Sequence, residues 1–201
     1  MKKIFAIVAL MLSVMTVNAQ NNEVYIQINP STVHNDGGDN LSPFGLAAGY
    51  NRLFGIGCED NLKLIAGGKF NYAWKSKDDV DYSFMKIAVP VSVGYRFQAG
   101  QVGIMPYAGI DCSVFLLAKA KMNGESKSFF DEDECGELAK ASRVQVGGHI
   151  GIDADYKNFV LGVAYQSDFT KFQDNTISLG SFEEKQKSYF SEFEIKLGYR
   201  F

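Results

Sequence analysis

The chain predicts an all-β fold, an eight-stranded antiparallel up-and-down transmembrane β-barrel. Three observations lead there. Segment after segment alternates apolar and polar residues, which a strand turns into two unlike faces. The breaks between segments alternate, three of the four at one end long and all three at the other short, as in barrels with long outer loops and short inner turns. Aromatic residues collect at both ends of the apolar rows and leave the middle aliphatic, which is how aromatic side chains distribute at lipid headgroup interfaces.

Residues 1–19 are set apart as a signal peptide. Lys2 and Lys3 open a basic start, Ile4–Val17 is almost wholly apolar, and Val17-Asn18-Ala19 offers small residues for cleavage between Ala19 and Gln20. The apolar run falls short of the ~20 residues of a spanning helix. The residue immediately after the cleavage point is Gln20, not a Cys that could carry a lipid anchor. Residues 20–201 then form a single barrel domain. Loss of the two leader lysines takes the formal charge from −3 to −5, which argues against nucleic acid as a partner.

The first strand, Glu23–Asn29, places Val24, Ile26 and Ile28 opposite Glu23, Tyr25, Gln27 and Asn29. The second, Phe44–Phe54, sets Phe44, Leu46, Ala48 and Tyr50 against Gly45, Ala47, Gly49 and Asn51, with Arg52 breaking the outward row near a headgroup region. The third, Leu62–Lys75, turns Leu64, Phe70, Tyr72 and Trp74 outward and Lys63, Lys69 and Asn71 inward. The fourth, Tyr82–Phe97, does the same with Met85, Ile87, Val91 and Tyr95 against Lys86, Ser92 and Arg96. The fifth, Val102–Lys121, puts Ile104, Ile110 and Cys112 outward and Tyr107, Asp111, Ser113 and Lys119 inward. Pro90 and Pro106 fall inside strands, where each removes a ladder bond, and are expected at bulges. The sixth, Ala141–Tyr156, opposes Val144, Ile150 and Ile152 to Arg143, His149, Asp153 and Asp155. The seventh, Phe159–Phe169, opposes Leu161, Val163 and Tyr165 to Gln166 and Asp168. The last, within Lys187–Phe201, carries Phe193, Ile195, Leu197 and Tyr199 on one face and Glu192, Glu194, Lys196 and Arg200 on the other.

Its final residue, Phe201, resembles the C-terminal aromatic assembly signal of bacterial outer-membrane barrels, which implies outer-membrane lipid and the barrel-assembly machinery as partners. The short breaks are Gly55–Asp60, Gln98–Gln101 and Lys157–Asn158; the others are Pro30–Pro43, Ser76–Asp81, Met122–Lys140 and Thr170–Lys187.

A soluble lipocalin-type barrel alternates too, but turns its apolar face inward around a ligand. The aromatic belts and the terminal Phe favour lipid outside. The polar rows then meet in a narrow lumen and must neutralise one another. Lys69, Lys86, Arg96, Arg143, Lys196 and Arg200 are available to Asp111, Asp153, Glu192 and Glu194, with His149 as a hydrogen-bonding neighbour.

The stretches MKIAVPVSVGYRF (85–97), PYAGIDCSVFLL (106–117), GGHIGIDADYKNFVLGVAYQSDFT (147–170) and EIKLGYRF (194–201) resemble the PorT-like outer-membrane β-barrel family. The resemblance spans residues 20–201 and rests on loose structural motifs. It implies the fold and an outer-membrane location, and it brings no catalytic residues with it.

Other constellations have plainer readings. KSFFDEDECGE (127–137) holds Asp131, Glu132, Asp133, Glu134 and Glu137 without the ligand spacing of a calcium loop, so a solvated outer loop is expected rather than a metal site. Cys58, Cys112 and Cys135 lack a framework spacing, and no bridge among them is expected. His149 has no nucleophile motif around it; Ser92 or Ser113 would have to meet it by chance. Glu192 and Glu194 share a face with Lys196 and Arg200, which suits salt bridges better than acid–base chemistry. No cofactor or metal is expected. The function expected is a non-enzymatic structural or interaction protein, with an unidentified ligand or protein at the outer loops. A narrow pore and a lipid-modifying enzyme are the alternatives.

Overall fold

Alternation carries the chain through the observed strands, and their pairing closes them into a ring. The computed structural model describes residues 22–35, 40–56, 61–122, 124–130, 141–179 and 182–201. The strands are β1 (Asn22–Asn35), β2 (Phe44–Ile56), β3 (Leu62–Lys77), β4 (Val80–Tyr95), β5 (Phe97–Ala99), β6 (Val102–Met122), β7 (Glu125–Ser128), β8 (Val144–Tyr156), β9 (Phe159–Asp168), β10 (Gln173–Leu179) and β11 (Phe182–Arg200). Eight of them, in the order β1-β2-β3-β4-β6-β8-β9-β11, form the wall, and β1 pairs with β11 to close it. All pairings are antiparallel, and β5, β7 and β10 extend the wall at its ends.

The closing seam aligns Ile26 with Leu197 and Gln27 with Lys196. Phe201 completes it: its N–H donates to the Asn22 carbonyl at 2.8 Å, and the Asn22 N–H returns a bond to the Phe201 carbonyl at 3.0 Å.

The apolar rows face out. Ile26, Ile110 and Ile150 are 62%, 61% and 64% exposed, whereas Lys69, Lys86 and Lys196 are each at or below 5%. That sign excludes the lipocalin arrangement. Tyr95, Phe97, Tyr156, Phe159, Tyr199 and Phe201 ring the end that bears the C-terminus, and Phe44, Tyr72, Trp74 and Phe169 ring the other, all outward. Neighbouring belt rings touch, as in Phe44 against Trp74 at 5.5 Å and Phe159 against Tyr199 at 5.6 Å.

Several expected boundaries move. β1 runs on to Asn35, through Pro30; pairing with β11 lapses beside the proline and resumes at Ser31–Glu192 in the same register. The break expected at Ser76–Asp81 is a two-residue turn in which Asp78 and Asp79 both have positive φ, the geometry of a tight hairpin. Part of the loop expected at Thr170–Lys187 is β10 paired to β11, and β7 occupies part of the loop expected at Met122–Lys140.

Neither Pro90 nor Pro106 sits at a bulge. Each loses an N–H without adding a residue, so the register holds through Pro90–Asp111 and Pro106–Ile152. The bulge lies where β6 places Leu116 between the partners of Met85 and Lys86. Phe115 keeps the inward parity of Asp111 and Ser113; past the extra residue the parity flips, which buries Ala118 and leaves Lys119, expected in the lumen, exposed.

The bulge also marks a change of interior. Towards the C-terminal end the lumen is charged. Beyond it, Phe84, Phe115, Phe172 and Phe190 pack with Val33, Ala73 and Ala118 into an apolar cap.

Candidate functional site: a charge-filled lumen

Inward positions on adjacent strands stack the lumen groups in layers. At the C-terminal end, Arg200 on β11 donates from Nη2 to Glu23 Oε2 at 2.8 Å and from Nη1 to Asp155 Oδ1 at 3.1 Å. Arg96, in the break after β4, grips the same Asp155 with two nitrogens, Nε at 3.0 Å and Nη2 at 2.5 Å. Planar forks of this kind hold carboxylates with direction as well as charge.

One layer further in, Lys196 Nζ lies 2.9 Å from Glu23 Oε1 and 2.6 Å from Asp153 Oδ2. The rings of Tyr25 and Tyr107 flank the same ammonium, at 5.5 Å and 5.8 Å. They can lie there because Gly49 and Gly151 stand beneath them; a Cβ at either glycine would meet the tyrosine ring.

At mid-height Lys69 is ion-paired with Glu194 and donates to Gln166 Oε1 at 3.1 Å. Gln27 donates to the other Glu194 oxygen at 3.0 Å, and Gln166 Nε2 donates to Asp111 Oδ2 at 2.9 Å. His149 Nε2 stands 2.6 Å from Ser92 Oγ, and its Nδ1 stands 3.5 Å from Asp111 Oδ1. Under the apolar cap, Lys86 meets Glu192 at 2.7 Å and lies beneath the rings of Phe115 and Phe190. Asn71 donates to Glu192 at 3.3 Å.

Ten of the expected lumen residues therefore meet inside the barrel: Lys69, Lys86, Arg96, Asp111, His149, Asp153, Glu192, Glu194, Lys196 and Arg200. Arg143 does not. It precedes β8, where alternation no longer sets its direction, and its guanidinium lies exposed over the Phe130 ring at 4.2 Å. Arg52, expected near headgroups, is buried against the Phe54 ring at 5.1 Å. Of the acidic residues open to His149, Asp111 is the one beside it.

The buried neutral partners Gln27, Asn71 and Gln166, and the buried Asp168, were not singled out, although their place on inward rows was the available signal. Cys112 is a free, outward-facing thiol. Ala19, Gln20, Cys58, Cys135 and the acidic residues Asp131, Glu132, Asp133, Glu134 and Glu137 lie outside the described residues.

Ser92, His149 and Asp111 are the residue types of a hydrolytic triad. The space beside Ser92 and His149 belongs to a cavity of about 40 Å³, also lined by Lys69, Gln166 and Tyr107. That is room for roughly three waters and no acyl chain. The imidazole lies within hydrogen-bonding range of both Ser92 and Asp111. Among the described residues no cluster of His, Cys, Asp and Glu is arranged to hold a metal ion.

Residues 4–201 match the family described as the outer membrane protein beta-barrel domain. No curated protein sequence matches. Among solved structures, Neisserial surface protein A is similar at 14% identity and a TM-score of 0.52, over 92% of this chain and 100% of that one. The attachment invasion locus protein Ail of Yersinia pestis is similar at 16% identity and a TM-score of 0.46, over 90% of this chain and 100% of that one.

Proposed function

Because the chain belongs to the outer membrane protein beta-barrel domain family, we propose that this bacterial outer-membrane barrel is a non-enzymatic structural and interaction protein. Its lumen is a plug, and the end opposite the C-terminus is its contact surface. One observation carries this reading: successive layers of ion pairs fill the lumen, with Arg200, Lys196, Lys69 and Lys86 each engaging a carboxylate. An eight-stranded wall leaves space for side chains and little else, and here charge pairs occupy it.

The long hairpins β3–β4 and β10–β11 extend the end away from the termini, which by the convention of such barrels faces outward. The partner proposed there is a ligand or protein recognised by the outer loops. Outer-membrane lipid surrounds the wall, and the assembly machinery reads the last strand through Phe201. The signal peptide ends at Ala19, and the mature chain begins at Gln20. The finer kinship with PorT-like barrels is supported by the four stretches that carry the resemblance.

Planar-bilayer recording tests the plug against the pore. Purified protein inserted into a bilayer is expected to stay silent at physiological salt. Stable single-channel steps would overturn the reading in favour of a narrow conduit for small solutes or ions.

A further inference from the structure

Above the charged plug, at the outer end, a second cavity of about 270 Å³ opens beside the apolar cap. Phe84, Phe129 and Phe172 supply its aromatic walls, and Val33 and Leu41 its aliphatic one. The rings hold one another firmly: Phe84 and Phe129 are stacked at 6.3 Å, and Phe172 meets Phe84 edge-on at 6.2 Å. The rim is polar. Ser188 Oγ donates to Asn35 Oδ1 at 2.6 Å, and the Asn35 N–H donates to Asn40 Oδ1 at 3.2 Å.

The cavity is a cleft open at its rim, with the apolar cap as its floor and inner wall. Water at the ring faces finds no hydrogen-bond partner there, whereas an apolar body would give the rings dispersion contacts on that side. The volume exceeds the ~150 Å³ that accommodates a single benzene ring. Aromatic walls beneath a rim of amide, hydroxyl and charged groups describe a site for a flat apolar body with one hydrogen-bonding end.

We propose that this cavity binds a one- or two-ring aromatic compound with a polar substituent. The ring lies against Phe84, Phe129 and Phe172, and the substituent faces Asn40 and Ser188. The proposal rests on reading this end as the outward one and adds a ligand class to it. The plug beneath makes the site a dead end, so it binds without conducting.

The probe is 1-naphthol, dialysed to equilibrium against the full-length mature protein in phosphatidylcholine nanodiscs and against empty nanodiscs. One equivalent of saturable binding beyond the empty discs is expected, with the Val33 and Leu41 methyl NMR signals shifting in step. Val33→Trp, which fills the cavity, weakens binding at least tenfold, whereas Ile150→Ala on the lipid face leaves it unchanged. Uptake equal to that of empty discs, unshifted methyls, or binding indifferent to Val33→Trp would each overturn the site. If Val33→Trp loses the heat-dependent gel mobility of a folded barrel, Leu41→Trp takes its place, and the wild-type methyl shifts decide in any case. Orientation is read separately: Asp79→Cys, in a chain whose native cysteines are replaced by serine, is labelled on intact cells by a membrane-impermeant maleimide. Failure to label overturns the outward reading and leaves the binding result standing.

Discussion

Lys196 shows what a single lumen residue contributes. Its ammonium has two carboxylates within 2.9 Å and two aromatic faces beside it, all shut away from solvent. Truncating one partner of such a cluster is worse than never building it, because uncompensated charge stays behind in a low-dielectric space. Lys196→Met is therefore expected to cost about 3–5 kcal/mol in reversible urea unfolding from lipid vesicles. Adding Asp153→Asn to it, which leaves Glu23 to Arg200, should recover part of that loss. A single variant as stable as the parent would show that the layer carries no net electrostatic load. At this scale the sequence was informative about direction and poor about pairing. Parity along a strand says that His149 points inward, but whether Asp153 or Asp111 receives it depends on the stagger between β6 and β8, where His149 stands opposite Gly109. Arg143 escaped for the converse reason: charge and parity were right, and the strand had not yet begun.

At the level of elements, alternation located all eight wall strands, because period-two patterning and closure are one constraint seen twice. What it could not place was an insertion that breaks the period. Proline is the visible suspect in a strand, yet Pro90 and Pro106 hold register, and the bulge falls at Leu116 within an all-apolar run, VFLLA, that gives no sign of it. The structure makes a specific prediction here. Deleting Leu116 removes the unpaired residue and restores a regular ladder, so the variant should keep the heat-dependent gel mobility of a folded barrel. Deleting Ile110, on the same strand but within regular pairing, turns every residue on one side of it to the wrong face. That variant should fail to fold. Equal behaviour of the two deletions would mean that the bulge is misplaced.

For the molecule as a whole, the division is between lipid outside, charge inside and an aromatic cap at one end. The first two were legible, because the four charges on one face of the last strand need a polar interior if the opposite face meets lipid. The cap was not. Phe84, Phe115 and Phe190 are brought together from three strands, and Phe129 and Phe172 join from loops whose course no local pattern records. The identity of an outer partner lies further still from the pattern, since a barrel wall is compatible with many loop functions.

The central claim, an apolar face in lipid and a charged face in a closed lumen, is tested most directly by spin-label accessibility at two adjacent positions. Cys112 is exposed on the outer wall, and Ser113 beside it is buried in the lumen. With the other cysteines replaced by serine, a nitroxide at Cys112 in phospholipid vesicles should collide freely with oxygen and hardly at all with a water-soluble nickel chelate. A label at Ser113→Cys should be shielded from both. High nickel accessibility at Cys112 would contradict the account, for it would put water where the structure requires lipid.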